Sequence, residues 1–81
     1  RTASGVEVDF IAYGKNGLKA FEIKSKRNIS SADLYGLRSF IKDYPMAKGI
    51  MIYGGGHKMY EKNIEIWPIR DALLHLPEIL G

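Results

Sequence analysis

Four charged residues group within two short apolar runs: Glu7 and Asp9 in Val6 to Ala12, and Glu22 and Lys24, either side of Ile23, in Leu18 to Ser25. Carboxylates are poor strand residues, so their grouping in a hairpin calls for a reason. Two carboxylates beside a lysine suit metal-assisted phosphodiester hydrolysis. Asp9 and Glu22 would offer hard oxygens to Mg²⁺ or Mn²⁺, which keeps several waters and completes its shell from the phosphate. Such an ion polarises the phosphoryl oxygen and acidifies a water, and the compact ammonium of Lys24 would neutralise the charge that develops. Asp9, Glu22 and Lys24 are therefore the expected catalytic residues, with Asp9 and Glu22 as the metal ligands.

The elements around them must bring these groups together. Side chains alternate along a strand, so Val6, Val8, Phe10 and Ala12 are expected on one face and Glu7, Asp9 and Ile11 on the other. Phe21 and Ile23 likewise oppose Ala20, Glu22 and Lys24. The turn Tyr13-Gly14-Lys15-Asn16-Gly17-Leu18 allows two closures. Asn16-Gly17 as a type I′ turn sets Asp9 opposite Lys24. A four-residue loop, Gly14 to Gly17, sets Asp9 opposite Glu22 and Glu7 opposite Lys24. The two registers differ by an even slip, so both keep Asp9, Glu22 and Lys24 on one surface. The same residues would also make cross-strand ion pairs worth roughly 0.2–1 kcal/mol each, with Glu7 as a surface partner.

Beyond the hairpin, Ser30 and Ser31 are candidate caps for a helix over Ala32 to Tyr44, whose Leu34, Leu37, Ile41 and Tyr44 form an apolar stripe that Phe40 widens. Pro45 ends it. Ala47 to Tyr53 reads as a parallel strand buried on both faces. Gly54-Gly55-Gly56 opens a mobile loop to about Asn63, Ile64 to Trp67 alternates as a strand closed by Pro68, and Arg70 to His75 reads as a short helix, with one more turn after Pro77. The expected fold is α/β, a mixed four-stranded sheet in ββαββα order. The helix is expected on the apolar hairpin face, leaving the acidic face free. Trp67 and Tyr44 are expected in the core, and His57 and His75 at the surface.

A chain of 81 residues with net charge +3 allows one small domain, and such a domain buries only about 60% of its unfolded surface. With no Met at the start and a polar opening, Arg1 to Gly5, it is expected to be a fragment of a larger protein. It has no cysteine, which excludes disulfides and thiolate metal sites and points to a reducing, cytoplasmic setting. No segment is apolar for the length of a membrane span. Lys24, Lys26, Arg27 and Arg38 could line a phosphate track for DNA.

Gly5-Val6-Glu7-Val8-Asp9-Phe10, then Ala20-Phe21-Glu22-Ile23-Lys24, then the helix with Leu34-Tyr35-Gly36-Leu37 and Phe40 resemble the PD-(D/E)XK nuclease-like superfamily. Val8 stands where that motif has proline. More narrowly, with Ile66-Trp67-Pro68-Ile69 and the leucine-rich end, the chain is similar to a small C-terminal domain of unknown function in prokaryotic AAA+-type ATPases. The resemblance implies a restriction-endonuclease-like core lacking its N-terminal helix and first strand, Mg²⁺-dependent DNA cleavage, and an attached ATPase domain. No phosphate-binding loop of an ATPase is present in these residues. The alternative is a catalytically inactive module of such an ATPase that binds nucleic acid or another subunit, including a homodimer. A plainer reading is a stabilising interaction domain with neither metal nor nucleic acid.

Overall fold

Ile50-Met51-Ile52 demands apolar neighbours on every side, and the chain supplies them. The computed structural model describes residues 8–80, so Val6 and Glu7 lie outside the described residues. Its elements are β1 (Phe10–Gly14), β2 (Gly17–Lys24), α1 (Tyr35–Asp43), β3 (Lys48–Tyr53), β4 (Met59–Glu61), β5 (Ile64–Pro68), α2 (Ile69–Leu74) and α3 (Leu76–Leu80). A 3₁₀ turn, Ser31–Leu34, leads into α1. The strands form one sheet in the order β1-β2-β3-β5-β4. β3 is central and pairs in parallel with β2 and β5, while β1 and β4 are antiparallel edges.

The class is α/β with a mixed sheet as expected, but the sheet has five strands. Met59-Tyr60-Glu61, expected within a loop, pairs with β5 from Met59↔Ile66 to Glu61↔Ile64. Three residues are too few to display an alternation, which is why this strand left no mark in the pattern. Its return to β5 is closed by Lys62 and Asn63, with Lys62 in the left-handed region at φ 54°.

Two apolar layers sandwich the sheet. On one face Leu37 and Phe40 of α1 pack with Ala20, Met51, Tyr53, Ile64 and Ile66. On the other, Ala72 of α2 and Ile79 of α3 pack with Phe21, Ile50, Ile52 and Trp67. Burying a side chain such as Leu37 or Met51 contributes about 1.5–3 kcal/mol. This corrects the expected layering. α1 covers the face that carries Ala20, and Glu22 and Lys24 share that face by alternation, so the acidic side is covered and not free. Glu22 is 7% exposed. Trp67 is core as expected, but Tyr44 is 48% exposed and only lays its ring on Phe40.

The triglycine segment is pinned, where a mobile loop was expected. Gly54 N–H donates to the Lys26 carbonyl at 2.7 Å. The Tyr53 hydroxyl donates to the His57 carbonyl at 2.6 Å and accepts the His57 N–H at 3.3 Å. Between these anchors, a Cβ on Gly55 would lie 2.3 Å from the Tyr53 ring and 2.6 Å from the Arg27 carbonyl. Glycine is required there by contact with a ring and a backbone.

Gly55→Ala is therefore expected to lower stability by about 1–3 kcal/mol in urea unfolding, the usual cost of overpacking. Gly56→Ala, whose Cβ would meet nothing within 4 Å, serves as the near-neutral control. Equal midpoints for the two variants would refute the close-packing account.

Candidate functional site

The β1–β2 hairpin positions the acidic residues, and its register follows from its turn. Pairing runs from Phe10↔Phe21 to Gly14↔Gly17, which leaves only Lys15 and Asn16 in the turn. Gly17 takes φ 104°, and among the described residues Lys62 is the one non-glycine at positive φ, so the Asn16-Gly17 type I′ closure is not formed. The register is that of the longer loop expected as the alternative, extended by one pair.

At Asp9 the regular ladder gives way. Asp9 N–H donates to the Phe21 carbonyl at 2.8 Å, although Phe21 already faces Phe10. Two residues of one strand thus meet one of the other, the geometry of a β-bulge. The side chains agree. Phe10 stacks on Phe21, with ring centroids 4.6 Å apart, on the α2 and α3 face, whereas Val8 packs into the α1 face. Simple alternation would have put Val8 and Phe10 together. The extra residue also redirects Asp9, whose Oδ2 accepts the Ile23 N–H at 2.6 Å. Its carboxylate stands in for a strand carbonyl and reaches the Glu22-Ile23-Lys24 segment along the edge of the sheet.

On that segment Lys24 Nζ lies 3.3 Å from Glu22 Oε2. The Glu22 side chain is 10% exposed and that of Lys24 37%, so the pair spans from the α1 layer to solvent. A carboxylate this buried needs a charged or hydrogen-bonding partner, and Lys24 is one. Among the described residues no three His, Cys, Asp or Glu gather as a metal cluster. Asp9 and Glu22 are two hard oxygen donors, which fits an ion that takes one or two carboxylates and fills the rest of its shell from water and phosphate.

A family model described as Domain of unknown function (DUF4143) matches residues 1–72. The chain belongs to that family. No curated protein and no solved structure gives a match. Among the described residues of this DUF4143 chain, no helix is long and apolar enough to cross a membrane.

The basic residues expected as a phosphate track divide into two groups. Lys26 Nζ donates to both Asp33 carboxylate oxygens at 2.9 Å. Arg38 bridges to Glu61 and donates to Ser31 Oγ at 2.8 Å, tying α1 to β4 and to the 3₁₀ turn. A phosphate at either residue would compete with a carboxylate already in place. Arg27 instead lines a cleft with Gly54 to Gly56 and Arg70. Arg70, expected only as the start of a short helix, was not grouped with the basic track because it lies far along the chain from Arg27. His57 and His75 are exposed and separate, and His75 Nδ1 sits 2.7 Å from Glu78.

The carboxylate of Asp33 is held by its neighbours in the charged form. Its Oδ2 accepts the Ser30 N–H at 2.9 Å and the Ser30 hydroxyl at 3.1 Å, a capping box with Ser30 at the N-cap. That backbone hydrogen bond first, then Lys26, lower its pKa from 3.8 to about 2. A depressed folded-state pKa stabilises the fold above the unfolded value and the contribution is lost as pH falls through the folded one. The melting temperature is accordingly expected to drop between pH 4 and pH 2, and Asp33→Asn should flatten this part of the profile while lowering the melting temperature at pH 7. Parallel pH profiles for wild type and variant would reject the linkage.

Proposed function

We propose that the chain is a nuclease-like domain of an AAA+-type ATPase parent, acting as a Mg²⁺-dependent hydrolase of DNA phosphodiester bonds, with a restriction-endonuclease-like core. The observation that carries this reading is the Asp9 carboxylate bonded to the amide between Glu22 and Lys24, with those two side chains 3.3 Å apart. Three ionisable groups of the types that hydrolysis needs converge on one short segment.

Each residue has a part that its surroundings favour. Asp9 gives Oδ2 to the Ile23 N–H, which fixes the carboxylate and leaves Oδ1 for an ion. Glu22 is held by the α1 layer and would be the second ligand. A bound Mg²⁺ or Mn²⁺ would polarise the phosphoryl oxygen and make a water acidic near neutral pH. Lys24, the more exposed partner, would swing from Glu22 to the phosphate oxygen on which charge develops.

A second reading is favoured by the same contacts. Asp9 and Glu22 both already serve the fold, the one in the β1–β2 ladder and the other in an ion pair, while Ile23 at 51% and Leu73 at 64% exposed leave apolar surface on the α2 side. On that reading the domain binds DNA, a second copy or another subunit for its ATPase without cleaving.

Calorimetric titration with Mn²⁺ and a plasmid-nicking assay with Mg²⁺ separate the two. Hydrolysis requires measurable Mn²⁺ binding that Glu22→Gln abolishes, and nicking that falls by about 10²-fold or more in Glu22→Gln and Lys24→Ala, the scale of losing one group that stabilises developing charge. Full cleavage in both variants would reject the assignment. No metal binding and no nicking would leave the binding module.

A further inference from the structure

The three parallel strands β2, β3 and β5 end side by side, and each is followed by a segment that turns into the same cleft. Arg27 follows β2, Gly54 to Gly56 follow β3, and Arg70 and Asp71 follow Pro68 at the end of β5. The cleft has a volume of about 350 Å³. Open α/β sheets place ligands outside the carboxyl ends of their strands, where loops converge over a rigid floor.

The charges here are not compensated as they are elsewhere. In the cleft around Trp67, Lys19 donates to the Ile79 carbonyl at 2.7 Å, Lys48 lies 3.5 Å from Glu65, and Lys58 sits over the Trp67 ring at 3.7 Å. By contrast, among the described residues neither Arg27 nor Arg70 makes an ion pair or a side-chain hydrogen bond. Two arginines and one acid, Asp71, are the charged residues of the lining.

The backbone between them is built for close approach. Gly55 is wedged against the Tyr53 ring and the Arg27 carbonyl, and Gly54 is tied to the Lys26 carbonyl, so the loop is held without side chains. Nothing lies within 4 Å of where a Gly56 Cβ would be. The N–H groups of Gly55 and Gly56 donate to no backbone carbonyl among the described residues. A glycine backbone can come against a ligand where a side chain would stand in the way.

We propose that this cleft binds a phosphate or phosphate-ester group, gripped by Arg27 and Arg70 and seated on the Gly54 to Gly56 backbone. Guanidinium forks match the oxygens of phosphate in pairs. Asp71 opposes the anion and limits the affinity. The site uses neither Asp9 nor Glu22, needs no divalent ion, and stands whether or not the chain cleaves DNA.

The test is a titration of the ¹⁵N-labelled chain with inorganic phosphate in EDTA, followed by NMR. Saturable shifts are expected at the Gly55 and Gly56 amides. Arg27→Gln and Arg70→Gln should each weaken binding about tenfold, the effect of losing roughly 1.4 kcal/mol of charge-assisted hydrogen bonding, and Asp71→Asn should strengthen it. A 5′-phosphorylated dinucleotide binding more tightly than its unphosphorylated form would identify a terminal phosphate monoester as the ligand, and equal binding of the two would identify the diester. Absence of saturable shifts, or undiminished binding in the Arg27→Gln, Arg70→Gln double variant, overturns the proposal. Because EDTA removes divalent ions, failure here is distinct from failure of the metal site.

Discussion

A parallel strand buried on both faces constrains everything beside it. From Gly49 to Tyr53, β3 has no exposed residue, so it must be flanked by two strands and covered by two helical layers. The flanks are β2 and β5, and the covers are α1 on one side and α2 with α3 on the other. This requirement reaches the candidate site directly. Register places Glu22 beside Met51, a fully buried residue, so the carboxylate is drawn under the α1 layer. Its companion Lys24, beside Tyr53 at the end of the strand, is where the charge can meet water.

Much of this was legible because it is periodic. The hairpin, the helix stripe of Leu37 and Phe40, the apolar central strand and the strand closed by Pro68 all repeat at intervals that the residue types display. The features that were not legible lack a period. A β-bulge is one residue, and nothing in Val8-Asp9-Phe10 marks the break that sends Val8 and Phe10 to opposite faces. The second helical layer was missed as a cover because α2 and α3 are short and bury little more than Ala72 and Ile79. With only one long helix visible, the apolar hairpin face had to be given to it, and the acidic face was left bare by default. Both faces of β2 are in fact packed, Ala20 against one layer and Phe21 against the other.

Ion pairing follows a similar logic. A run such as Lys24, Lys26 and Arg27 looks like one electrostatic feature in sequence, yet its members have separate fates in space. Lys24 turns to Glu22, Lys26 caps the approach to α1 through Asp33, and Arg27 is left at the cleft. Arg38 and Glu61 come from α1 and from the strand that the pattern did not display, so their bridge could not be anticipated. Exposed pairs of this kind contribute little each, about 0–1 kcal/mol, and their larger effect is on where uncompensated positive charge remains.

That residual charge lies beside a second hollow at the same border of the sheet. An apolar depression of about 160 Å³ is lined by Lys24, Ser25, Gly54 and Ile69, among others, and the Arg27 and Arg70 cleft is also lined by Gly54 and Ile69. The two hollows therefore adjoin along the carboxyl ends of β2, β3 and β5. Parallel pairing is the cause, since it alone brings three successive strand ends, with their following loops, to one border of the sheet. Gly54, common to both linings, is held in place by its N–H, which donates to the Lys26 carbonyl. A phosphate seated by Arg27 and Arg70 would thus lie beside an apolar hollow, across the backbone of Gly54 that lines both.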